Sequence, residues 1–182
     1  MHLIFLHGVP GVGKRTIAME LSQELGFPFL NFQNLGSLLG PVFGYASPNF
    51  TTLRDEITDR VINMAIGLPE DGIIASFNDG PGIPMDAYRG YIDAVRESGG
   101  IGLFVGLTCD EDELKERADL ATRRAAERLT DFQIQEEADA ATLVTDLPGP
   151  SIVINTSGES PEQTVQNIIA MLPDGMKSGI MF

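Results

Sequence analysis

The sequence predicts an α/β domain built on a parallel sheet. Three observations carry this: five short apolar runs, segments of helical period between them, and a glycine-rich loop joining the first run to the first such segment. The runs are Leu3–Leu6, Phe27–Leu30, Ile73–Phe77, Ile101–Cys109 and Ser151–Ile154. Most are apolar at nearly every position, as expected of strands covered by helices on both faces.

In chain order, Leu3–Leu6 leads into the loop that starts at Gly8. Ile17, Leu21 and Leu25 then recur at i, i+4, i+8, and so later do Leu53, Ile57 and Val61, which predicts two amphipathic helices. Pro28 interrupts the second run; proline suits an edge strand, which puts this run at one side of the sheet. Segment 34–50, rich in Gly, Pro and Asn, reads as a long loop. After Ile101–Cys109, the residues Leu114, Ala118, Ala121, Ala125 and Leu129 form a narrow apolar stripe. Three helix starts carry the capping-box pattern: Asp110 with Glu113, Thr130 with Gln133, and Ser160 with Gln163, the last with Pro161 at the first helical position. The tail after Pro173 is short and semi-apolar.

Composition narrows the function. An apolar content of 43% across 182 residues is that of one ordinary globular domain, expected to span 1–182 and to be monomeric or homodimeric. Twelve basic against twenty-six acidic residues give a net charge of −14. That field repels phosphate backbones and anionic lipid, so neither nucleic acid nor membrane is an expected partner. A single cysteine, Cys109, excludes a disulfide within the chain. No apolar run approaches the roughly 18 residues of a bilayer span, and the start lacks a basic leader region. The expected location is cytoplasmic.

The loop Gly8-Val9-Pro10-Gly11-Val12-Gly13-Lys14-Arg15-Thr16 follows a buried strand and opens an amphipathic helix, the context a Walker A motif requires. Glycines let successive backbone N–H groups turn inward as a nest for phosphate oxygens, and the helix dipole adds to it. Lys14 brings a point charge to the β- and γ-phosphates, which makes it a candidate catalytic residue. Gly8, Gly11, Val12, Gly13, Lys14, Arg15 and Thr16 are thus the candidate nucleotide-binding residues. Arg15 stands where the motif places a Mg²⁺-binding hydroxyl, and Thr16 follows it. A dinucleotide fingerprint fails on spacing, because Gly11-x-Gly13 leads to Thr16 and the second run ends near Asn31 without an acid.

With this loop, the segment Leu107-x-Cys109-Asp110-x-x-x-Leu114-x-x-Arg117 and the ending Ile152-Val153-Ile154-Asn155-Thr156-Ser157-Gly158, the chain resembles the P-loop small-molecule kinases. Shikimate-kinase-like and adenylate-kinase-like groups are nearest, and such chains are often labelled AAA-family ATPases. The resemblance spans Met1 to about Leu172. It implies a three-layer fold with a five-stranded parallel sheet of order 2-3-1-4-5, ATP with Mg²⁺, a small-molecule acceptor and an arginine-bearing lid. The loop after the last strand, Thr156–Gly158, with Ser157 and Gly158 as the binding residues, would border the adenine, and Arg117 would stack on or beside it. Residues 34–66 would be the acceptor side and 115–131 the lid.

The charge distribution supports a lid independently: Lys115, Arg117, Arg123, Arg124 and Arg128 crowd one stretch of an acidic chain. A solvated helix is the plainer explanation, and Glu113–Arg117 has the spacing of an i,i+4 ion pair. Planar guanidinium forks suit phosphates, so Arg123, Arg124 and Arg128 are the candidates to reach the transferring group, with Arg124 the catalytic choice. Kinases of this type carry a carboxylate after the second or third strand, to hold Mg²⁺ waters or to accept the acceptor's proton. Here Asp79 is the candidate, although Asp79-Gly80-Pro81-Gly82 reads equally as a turn. Arg54, a candidate acceptor-binding residue, and Arg60 lie on the helix after the long loop, where a solvated face explains them equally well. His7 reads as a packed strand-end residue and Cys109 as a small buried hydrophobe. Two histidines and one cysteine do not make a metal site. Two functions stay open: a phosphotransferase, and a nucleotide-binding protein with little transfer activity.

Overall fold

The computed structural model describes residues 1–68, 71–77, 85–117 and 145–177, without the side chain of Gln33. Five parallel strands form one sheet: β1 (His2–His7), β2 (Phe29–Leu30), β3 (Gly72–Ser76), β4 (Gly102–Thr108) and β5 (Ser151–Asn155), in the order β2-β3-β1-β4-β5. The helices are α1 (Lys14–Leu25), α2 (Gln33–Phe43), α3 (Pro48–Ile66), α4 (Met85–Glu97), α5 (111–117) and α6 (Pro161–Met171).

Both faces of the sheet are covered, which explains the near-continuous apolar strands. Ile4 and Leu6 of β1, Ile74 of β3 and Leu103, Val105 and Leu107 of β4 join Ile17, Leu21, Val165 and Ile168 on the α1–α6 side. Leu3 and Phe5, Ile73 and Ala75, and Phe104 join Ile62, Tyr88, Ile92 and Val95 on the α3–α4 side. The side-chain period of two sends alternate residues into separate cores. Deleting a ring such as Phe5, which is 1% exposed, would cost about 3–5 kcal/mol. The edge position foreseen for the Pro28 run is observed: β2 flanks the sheet, and exposed Pro28 contributes only its carbonyl, which accepts from Ile74 N–H at 2.9 Å.

Three local expectations are corrected. Segment 34–50 is not one long loop; most of it is α2 and the start of α3. Leu35, Leu38, Leu39 and Val42 have helical spacing, and the chain tolerates Pro41 near the end of α2. A Cβ at Gly40 would stand 2.1 Å from the Tyr45 ring, so glycine there lets Tyr45 close against α2 and pack on Phe50 at 5.4 Å. Helix α3 buries Phe50, Ile62 and Ala65; of the predicted stripe, Leu53 and Ile57 are half-buried and Val61 is exposed. Its start is held by Ser47, whose Oγ accepts from Phe50 N–H, with Pro48 in the first turn. Finally, Asp110 and Glu113 do not reciprocate as a box: Asp110 N–H donates to Ser157 Oγ, and the Glu113 carboxylate accepts from Arg117 and Gly158. The Ser160–Gln163 box is present in full. Thr130, Gln133 and the stripe beyond Leu114 lie outside the described residues. The tail docks through a 3₁₀ turn, Asp174–Met176, whose Met176 is buried in the α1–α6 core.

Candidate functional site

In a parallel sheet the carboxyl ends of all strands open on one edge, so the segments after β1, β4 and β5 meet there. The loop after β1 starts against β4: a Cβ on Gly8, whose φ is +148°, would stand 2.4 Å from the Leu107 carbonyl oxygen. Gly13 takes the left-handed conformation at φ +102° as the N-cap of α1 and offers no side-chain cap. No acidic residue stands in the first turn. The helix therefore presents backbone N–H groups and its positive end without internal compensation, a site suited to an anion.

Lys14 is 7% exposed, and its Nζ donates to the carbonyls of Gly8 at 2.8 Å and Val9 at 2.9 Å. The ammonium is folded back across the loop it follows. Val12 is fully buried, whereas Arg15 and Thr16 are exposed on the first turn. His7 is fully buried and stacks on Phe77 at 5.3 Å, which matches the packed strand-end reading.

The segments after β4 and β5 are laced together. Thr156, 3% exposed, donates its N–H to the Thr108 carbonyl at 2.9 Å, and its Oγ1 donates to the same oxygen at 3.1 Å. Ser157 Oγ accepts from Asp110 N–H at 2.7 Å, and Ser157 N–H donates to Asn155 Oδ1 at 2.9 Å. Cys109 is half-buried rather than buried, its Sγ accepting from Ser157 Oγ at 3.7 Å.

Arg117 joins these segments to the glycine loop. Its Nη1 donates to Thr156 Oγ1 at 2.9 Å and to the Val12 carbonyl at 3.3 Å. Its Nη2 donates to the Thr156 carbonyl at 2.9 Å and to Glu113 Oε1 at 2.6 Å. The other Glu113 oxygen accepts from Gly158 N–H at 2.9 Å.

The structure thus brings Gly8, Gly11, Val12, Gly13, Lys14, Arg117, Ser157 and Gly158 to one edge of the sheet. Arg54 lies on α3, where its Nε donates to Asp55 Oδ1 at 2.9 Å and its guanidinium lies 5.7 Å from the Phe50 ring. Asp79, Arg123, Arg124 and Arg128 lie outside the described residues. Glu113 is a partner that the sequence does not assign to the site, and Thr156, expected only in the adenine-side loop, is also the acceptor for Arg117. Glu113 carried the i,i+4 spacing to Arg117 as its signal; nothing local marks Thr156 as an acceptor for Arg117. Among the described residues, no group of three or more His, Cys, Asp or Glu side chains is arranged to hold a metal ion, and no helix is long and apolar enough to cross a membrane.

A family model described as an AAA domain matches residues 4–142, well over half of the chain. The chain belongs to the AAA domain family. No curated protein matches this AAA-domain chain by sequence. Solved structures share its fold, that of the P-loop small-molecule kinases. A sugar kinase from Janibacter sp. is 18% identical with a TM-score of 0.59, over 100% of this chain and 99% of that one. Shikimate kinase from Aquifex aeolicus is 18% identical with a TM-score of 0.52, over 92% and 94%. The APS kinase of Mycobacterium tuberculosis, solved with AMPPNP and APS, is 18% identical with a TM-score of 0.55, over 93% and 95%.

Proposed function

We propose that this AAA-domain protein is an ATP-dependent phosphotransferase that moves the γ-phosphoryl group to a small-molecule acceptor. The observation that carries the reading is the N-terminus of α1: uncapped by a side chain, free of acid in its first turn, and crossed by the Lys14 ammonium. Kinases that share the fold add support, one of them solved with AMPPNP, a nucleotide.

Bound ATP supplies the activated phosphoryl group. Lys14 exchanges the Gly8 and Val9 carbonyls for phosphate oxygens, and the loop amides orient the chain of phosphates. Transfer forms a bond from the acceptor's nucleophile to phosphorus, breaks the β,γ-bridging P–O bond and leaves ADP. Arg124, with Arg123 and Arg128, stabilises charge on the transferring group, and Asp79 organises either Mg²⁺ or the acceptor's nucleophile. Arg54 stands on the acceptor side. The loop suits a triphosphate, but exposed Arg15 stands where a Mg²⁺-ligating hydroxyl would be, so Mg²⁺ would be held chiefly by the nucleotide and water.

Two observations favour a second reading, a nucleotide-binding protein with little transfer: Arg15 replaces the hydroxyl, and Asn31, not an acid, follows β2. Phosphorus NMR of ATP, Mg²⁺ and pooled metabolites separates the two. A new phosphorylated product supports the kinase; tight ATP binding without any product supports the second reading.

A further inference from the structure

We propose that Arg117 and Glu113 form a clasp that sets the geometry of the phosphate loop before any ligand arrives, with Arg117 a positioning residue acting through the Val12–Gly13 peptide. The proposal rests on the nucleotide-binding reading above and concerns how the same site is kept competent.

The stereochemistry is direct. In a trans peptide the carbonyl and the following N–H point in opposite directions. Arg117 Nη1 holds the Val12 carbonyl at 3.3 Å, and that peptide's N–H belongs to Gly13, the N-cap of α1. Whatever pulls on the carbonyl therefore aims the Gly13 amide to the other side. Gly13 and its neighbour Gly11 have left-handed φ values of +102° and +83°, a backbone free to flip unless something restrains it. Thr156 Oγ1 lies 3.5 Å from the same Val12 oxygen but gives its one proton to the Thr108 carbonyl at 3.1 Å, so the restraint on the Val12 carbonyl comes from Arg117.

The electrostatics point the same way. A cation beside a helix N-terminus is unfavourable in an empty protein. This one is kept there by Glu113 at 2.6 Å and by two carbonyls, in a half-buried pair with side chains 27% and 33% exposed. Glu113 does two jobs: it fixes the guanidinium plane and it anchors Gly158, at the loop after β5. The fork geometry matters because four acceptors on three segments are met at once, which a lysine cannot do.

The test is titration calorimetry of the full chain with ATP and, separately, inorganic tripolyphosphate, which has no base to stack on. Arg117→Lys keeps the charge and loses the fork. It is expected to weaken both ligands about tenfold or more. Glu113→Gln gives a decisive sign. Removing an acid from an anion site strengthens binding if Glu113 acts only through space, whereas loss of the clasp weakens tripolyphosphate several-fold. Amide exchange on the free protein is the second readout: residues 8–13 should exchange faster in both variants while β1 and β4 do not change. The proposal is overturned if Glu113→Gln binds tripolyphosphate more tightly with unaltered loop exchange. It is also overturned if Arg117→Lys weakens ATP alone, which makes Arg117 a base contact only. If wild type binds neither ligand while loop exchange still rises in the variants, the tie to the loop stands and the nucleotide reading falls.

Discussion

The ammonium nitrogen of Lys14 lies 2.8 Å from the carbonyl oxygen of Gly8, at the opposite end of the glycine loop. The lysine thus spans the mouth of the loop, in position to meet a polyphosphate. Lys14→Ala removes a charge-assisted contact that contributes about 1.5–3 kcal/mol to ATP binding, a loss of roughly tenfold or more in affinity. Titration calorimetry checks this, and equal affinity in both proteins would end the assignment.

Arg15 is exposed beside that loop, where the motif has a hydroxyl. Its charge can assist phosphate binding without metal. ATP affinity should therefore depend less on Mg²⁺ in the wild type than in Arg15→Ser. Matching Mg²⁺ titrations in the two proteins would show that the side chain takes no part.

The arginines beyond Arg117 test enzyme against binder. Charge builds on the phosphoryl group only near the transition state, and only contacts made there raise the rate. Arg124→Ala should cut turnover, or basal ATP hydrolysis if no acceptor is found, by about two orders of magnitude or more. Its effect on ATP affinity should be several-fold at most. Single-turnover kinetics of the Ala variants of Arg123, Arg124 and Arg128 decide this; three wild-type rates mean a solvated segment.

Two alanine substitutions should shift stability in opposite directions. At Gly8 a Cβ meets the Leu107 backbone oxygen at 2.4 Å with φ at +148°, so Gly8→Ala is expected to cost about 2 kcal/mol or more. Gly90 lies exposed inside α4 with nothing near its added Cβ, and Gly90→Ala should gain about 0.5–1 kcal/mol. Urea midpoints moving the same way in both would contradict the packing at the β1–β4 edge.

Tyr91 donates to Asp59 Oδ1 at 3.0 Å and ties α4 to α3. Burial, and then the bond to Asp59, raise the hydroxyl pKa well above the ordinary tyrosine value. Tyr91→Phe should cost about 1 kcal/mol at neutral pH. A raised folded pKa makes the contribution complete below the unfolded value near 10.0 and lost as pH climbs past it. The stability gap between the two proteins should accordingly narrow above about pH 10. A gap that stays constant into alkali would refute the linkage.

The glycine loop, the strands and the edge placement of the Pro28 run were legible in the sequence because each depends on near neighbours. Positive-φ glycines, a ring that removes an N–H and a two-sided apolar strand all leave local marks, and so does the Ser160–Gln163 box. The helix at Gln33–Phe43 was misread because glycine and proline outweighed a valid apolar period in the composition, whereas in the fold the Gly40–Tyr45 contact and packing of α2 on α3 decide the outcome. The partners of Arg117 were legible only in part. Its pairing with Glu113 follows from one helical turn, but Thr156 and Val12 lie 39 and 105 residues away. They meet it because parallel strands deliver their following loops to one edge of the sheet. Which groups then face each other depends on how the strands cross and align, and that is a property of the assembled sheet.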